Sequence, residues 1–173
     1  MLEEGEDCGM KQWILEHAIV LTLLLILSLM IMIFCFSAQP ADKSAETSGY
    51  FVSLILRILV PDSDSLDSEA YSVLEHKASF LLRKSAHLTE YTMLGFALLL
   101  HVIVWQHKKK IRFPKLGAFL VGAVYAASDE VHQIFIPGRS GEGKDVLLDC
   151  VGVLLGILIL SLFWSDRVKR RRN

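Results

Sequence analysis

The chain has 173 residues, 53% of them apolar, and a formal net charge of −1. That length fits one domain, and the near-neutral charge leaves no global positive field to draw nucleic acid. The apolar residues come in blocks long enough to cross a bilayer, which excludes an ordinary soluble domain.

Residues 1–12 form an acidic tail (Glu3, Glu4, Glu6, Asp7), followed by an apolar run from Trp13 to Phe36 with Glu16 and His17 near its start. The small residues Ser37-Ala38-Gln39-Pro40-Ala41 imitate a cleavage site. The preceding flank is acidic rather than basic, however, and the run is too long for an ordinary signal peptide. An uncleaved first span is expected. Tyr50 to Val60 is apolar but too short to cross; Ser53 and Arg57, four residues apart, suggest a helix lying in the interface or packed on the bundle. The serine-rich acidic stretch Pro61-Asp62-Ser63-Asp64-Ser65 reads as a loop.

A second long helix is predicted from about Tyr71, strongly apolar from Leu88 to Trp105, with Trp105 and His107 suited to an interfacial end. A third span runs from about Phe113 to Ile136, closed by Pro137-Gly138, and a fourth from about Val146 to Trp164. Residues 166–173 form a basic tail. The expected fold is all-α: a four-helix transmembrane bundle over residues 13–165, with a short interfacial helix in the first outer loop. Cys8, Cys35 and Cys150 show no paired spacing and are expected to be buried free thiols.

Lysine and arginine set the orientation. Lys108, Lys109, Lys110, Arg112 and Lys115 crowd the second-to-third connection, and Arg167, Lys169, Arg170, Arg171 and Arg172 crowd the tail. Both places are expected in the cytoplasm of a multi-pass protein of the plasma membrane, with the N-terminus inside as well. The other two loops then face outward.

With that topology, polar residues from four segments fall at one depth, near the outer face. They are Ser37 and Gln39; Arg83, Lys84, His87, Glu90 and Tyr91; Ser128, Asp129, Glu130, His132, Gln133 and Arg139; and Asp145 and Asp149. At about 100° per residue, Arg83, His87, Glu90 and Leu94 share one stripe with Tyr91 at its edge. Ser128, Asp129, His132 and Gln133 share another, opposite Val124, Ala127, Val131 and Ile134. Asp145, Asp149, Gly152 and Gly156 make a third, whose glycines suit close helix packing. An ionisable group at mid-membrane costs on the order of 3 kcal/mol, so these side chains are expected to face inward. The plainer alternative is a structural ion-pair network, with Arg83 and Lys84 as snorkelling anchors and His101, near the cytoplasmic end, as an interfacial residue.

Four motifs appear in order: Phe36-Ser37-Ala38-Gln39; Lys84-x-x-His87-x-x-Glu90-Tyr91-x-x-Leu94-Gly95; Asp129-Glu130-x-x-Gln133-x-x-x-Pro137-Gly138-Arg139; and Asp145-x-x-x-Asp149-x-x-Gly152-x-x-x-Gly156. Together they resemble the VanZ-like family over nearly the whole chain beyond the N-terminal tail. Ala38 stands where a second serine is common, and the acidic insert from Asp62 to Glu69 is particular to this chain. The resemblance implies a bacterial cell-envelope membrane protein of a family linked to resistance to the glycopeptide teicoplanin.

Three readings of the polar cluster follow. In the first, it binds a lipid-linked envelope precursor or glycopeptide through Arg83, Gln39, Tyr91, Glu130, Gln133, Arg139, Asp145 and Asp149, the arginines meeting phosphate or carboxylate. In the second, it is a hydrolase or transferase with His87 or His132 as base, Asp129 or Glu90 orienting it, and Arg139 stabilising negative charge. Ser37, Ser85 and Ser128 are the candidate nucleophiles, none in an elbow motif. In the third, it is a small transporter relaying protons. The pairs His87/Glu90 and Asp129/His132 each put two potential metal ligands on one helical face, but no metal set and no cofactor is assigned. The bilayer is the one partner the sequence requires.

Overall fold

The computed structural model describes residues 2–60 and 67–170. These form five helices: α1 Leu2–Ser37, α2 Ala41–Leu59, α3 Ser68–Trp105, α4 Pro114–Gln133 and α5 Gly143–Arg170. No strand occurs among the described residues. The expected loop Pro61–Ser65, the last residues of the basic tail and the Cys8 side chain lie outside them.

Local chemistry sets the breaks. α1 stops at Ser37, and Pro40, which cannot donate a backbone N–H, stands immediately before α2. Asp67 caps α3, its carboxylate accepting from the Ala70 N–H at 2.7 Å. Pro114 opens α4 at a position where its missing N–H costs nothing. After α4 the chain reverses through Gly138, whose φ of 74° favours glycine.

Among the described residues, three stretches are long and apolar enough to cross a membrane: Gly9–Ser37, Ser68–Trp105 and Gly143–Trp164. α4 is not among them, because its last turns carry Asp129, Glu130, His132 and Gln133. α2 is longer than the expected Tyr50–Val60 helix and packs on α3, burying Val52 and Leu56.

α3 is the centre of the assembly and touches all four other helices. Its most extensive interface is with α5, where glycines let the backbones meet. A Cβ at Gly152 would sit 2.8 Å from the Leu88 carbonyl, and one at Gly156 would collide with the Thr92 carbonyl. Gly95 meets the Val153 backbone from the other side. Ile26, Ile33, Leu94, Leu98, Val153 and Leu160 fill the core. Leu21, Leu24, Ile31, Val124 and Leu158 point outward, a surface suited to lipid.

His101 is half-buried, its ring nitrogen 2.8 Å from the Thr22 hydroxyl of α1. One expectation is corrected. Cys35 and Cys150 are free, but Cys35 is exposed on the apolar outside rather than buried.

Candidate functional site

One end of the bundle collects the polar residues. The last turn of α1, the middle of α3, the last two turns of α4, the loop 134–142 and the start of α5 all converge there. Within it, Ser37, Asp129, Glu130, Gln133 and Asp149 are all at most 5% exposed.

A hydrogen-bonded chain ties α1 to α4 and the loop. The Ser37 hydroxyl donates to Asp129 Oδ2 at 2.8 Å, and Gln133 Nε2 donates to the same oxygen at 3.1 Å. Arg139 completes the chain: Nη1 reaches Gln133 Oε1 at 3.4 Å, Nε reaches the Gln39 carbonyl at 2.9 Å, and Nη2 the Phe36 carbonyl at 3.2 Å. The guanidinium thus ties down two carbonyls at and just beyond the end of α1, a use of the planar fork that lysine cannot copy. Burial lowers the proton affinity of Arg139, and the neighbouring Arg83 charge lowers it further, while Asp129, Glu130 and Glu90 oppose the shift. Arginine nonetheless stays charged in proteins, so two guanidinium groups share this space.

Behind this chain, α3 and α5 bring His87 and Asp149 together, Nδ1 to Oδ1 at 3.5 Å. That is beyond the range of a good hydrogen bond. Asp129 of α4 joins them: one potential ligand atom from each of the three side chains lies within 4.8 Å of the others. Nearby, Lys84 pairs with Asp145, and Glu130 Oε2 accepts the Glu142 backbone N–H at 3.0 Å, fastening the loop to α4.

Two hollows open beside the cluster. One is a polar cavity of about 310 Å³ bordered by Arg83, Lys84, His87, Gln133, Arg139 and Asp145 among others. The second, about 360 Å³, is a groove between α2 and α3 whose exposed surface is mainly apolar, with Phe36, Phe51, Ile55 and Leu82 in its walls and Gln39, Ser44, Thr47, Ser48 and Glu90 beside them. Arg83, His87 and Arg139 border both.

The structure sorts the expected site residues. Arg83, His87, Asp129, Gln133, Arg139, Asp145 and Asp149 converge, with Glu90 and Gln39 at the groove. Tyr91 is fully buried. His132 turns away and stacks on Phe34, ring centroids 4.5 Å apart, so it does not join Asp129 as a second ligand. Ser128 does not share the inner face of α4. It is exposed and bonds the Tyr125 carbonyl, and Glu130 takes the inner place beside Asp129.

Two residues outside the expected binding set join the cluster: Ser37, a motif residue and candidate nucleophile, and Lys84, expected as a snorkelling anchor. The signal for Lys84 was its position three residues before His87, on the same helical face.

The family model described as VanZ/LLP1 matches residues 22–164. No curated protein and no solved structure matches the chain.

Proposed function

The chain belongs to the VanZ/LLP1 family, and within it we propose a four-span plasma-membrane protein that binds an anionic, lipid-linked envelope molecule at the outer leaflet. α4 is the remaining span, tolerated in the membrane because its polar turns face the bundle. α2 lies along the outer interface, and both termini are cytoplasmic, following the lysine and arginine of the 108–115 loop and the tail.

One observation carries the reading: Arg83, His87 and Arg139 stand on the boundary between a polar cavity and an apolar groove. A phosphate-bearing headgroup in the cavity would meet two guanidinium groups, while its hydrocarbon would follow the groove toward lipid. Such a ligand matches the site at both ends. A free hydrophilic anion would leave the groove unused.

The test is binding by the purified full chain in nanodiscs. A polyprenyl phosphate should bind saturably in a neutral phosphatidylcholine background, and Arg83→Ala with Arg139→Ala should abolish it. Equal retention of the uncharged polyprenol would reject the reading.

Chemistry on the same headgroup is a second reading, favoured by His87 at the cavity with Asp149 behind its ring. Ser37 is committed to Asp129, and Ser85 and Ser128 are exposed and do not border the cavity, which leaves water or Ser140 of the cavity wall as the nucleophile. Release of phosphate from the bound probe by the wild type, and none by Asp149→Asn, would favour it.

A further inference from the structure

We propose that His87, Asp129 and Asp149 form a binding site for one divalent first-row transition-metal ion. The set crosses three helices, one ligand each from α3, α4 and α5, so no spacing along the chain announces it.

Buried carboxylates need compensation. Asp149 is 0% exposed and Asp129 3%, and neither oxygen of Asp149 nor Oδ1 of Asp129 makes a hydrogen bond within the protein. Two such groups side by side repel one another and are costly without a cation or bound protons. Arg83 borders the cavity but pairs with neither carboxylate, and the other two neighbouring cations are used elsewhere. Lys84 is paired with Asp145, and Arg139 is spread over Gln133 and the Phe36 and Gln39 carbonyls. His87 is the one basic side chain against the pair, and its Nδ1 has no hydrogen-bond partner either. Tyr91, fully buried, directs its hydroxyl toward Asp129.

Distances point the same way. Ligands bound at about 2.0–2.2 Å in tetrahedral array stand about 3.3–3.5 Å from one another. His87 Nδ1 and Asp149 Oδ1 are 3.5 Å apart, too far for a strong hydrogen bond and at the edge length of such a tetrahedron. The full set, within 4.8 Å, closes onto an ion with side-chain movements of about an ångström. One imidazole and two carboxylates suit zinc or manganese better than calcium or magnesium, which favour all-oxygen shells. Three protein ligands leave at least one coordination position free, and His87 borders the cavity toward which it would open.

Ion binding is independent of the lipid reading and is measured without any lipid ligand. The full chain is purified in detergent, stripped with chelator, and titrated separately with Zn²⁺ and Mn²⁺ by calorimetry, with metal content counted after gel filtration. One ion per chain is expected. His87→Ala and Asp149→Asn should each weaken binding by about 100-fold or more, while His107→Ala, on an exposed residue at the far end, should leave it unchanged. Zn²⁺ or Mn²⁺ should also raise the unfolding temperature of the wild type but not of His87→Ala. A wild type that binds no stoichiometric ion, or an Asp149→Asn protein that binds as tightly as the wild type, overturns the proposal in favour of carboxylates neutralised by protons. If Asp149→Asn does not accumulate, His87→Gln decides by the same two outcomes.

Discussion

Ser37 and Asp129 lie 92 positions apart in sequence, yet the serine hydroxyl donates to the carboxylate at 2.8 Å with both side chains nearly inaccessible. The bond joins the end of α1 to the inner face of α4 at the depth where the other polar groups meet. Around it, Gln133 and Arg139 extend the same chain to the loop.

Ser37→Ala should therefore destabilise the protein without touching the cavity wall. Asp129 Oδ2 would keep only Gln133, and removing one partner of a buried hydrogen bond costs about 1–3 kcal/mol. Thermal unfolding in detergent should show a lower midpoint, and Ser37→Thr, which keeps the hydroxyl, should recover part of the loss.

The α3–α5 seam should be intolerant of any side chain. Gly156→Ala places a methyl against the Thr92 and Phe96 backbone, where nothing flexible can yield. A loss of about 1–3 kcal/mol or more is expected, read as reduced accumulation and a lower unfolding midpoint. Gly143→Ala, with open space around its position, should behave as wild type.

Arg139→Lys keeps the charge but loses the fork that reaches the Phe36 and Gln39 carbonyls. Polyprenyl phosphate binding in nanodiscs should weaken about tenfold, or about 1.4 kcal/mol, and retained affinity would show that charge alone suffices.

Lys84 and Asp145 should couple. A double-mutant cycle with alanine at both positions, followed by thermal unfolding, should give an interaction energy of about 0.5–3 kcal/mol, and a value near zero would make the pair incidental.

Much of the architecture is legible in the sequence because bilayer physics is one-dimensional. The blocks Trp13–Phe36, Leu88–Trp105 and Val146–Trp164 are long apolar runs, and each lies within a helix able to cross. The Asp145, Asp149, Gly152, Gly156 stripe is also readable, since two small residues four apart mark a close seam. Helix phase is harder where polar residues crowd together. In Ser128-Asp129-Glu130-Val131-His132-Gln133 several rotations bury two or three polar groups, and only packing against α5 and the 134–142 loop selects Glu130 over Ser128. His132 illustrates a second limit: spacing relative to Asp129 cannot reveal that Phe34 of another helix takes its ring. The His87, Asp129, Asp149 trio and the Lys84 pairing join different helices, and that juxtaposition is written only in the fold.

Everything proposed for the ligand requires the polar end of the bundle to open outside the cell. In a cysteine-free background, Ser140→Cys, in the loop beside the cavity, and Lys109→Cys, in the basic connection, can be challenged on intact cells with a membrane-impermeant thiol reagent. Ser140→Cys should label at once and Lys109→Cys only after permeabilisation. Labelling of Lys109→Cys on intact cells, with Ser140→Cys protected until they are opened, would put the cavity in the cytoplasm and contradict the assignment.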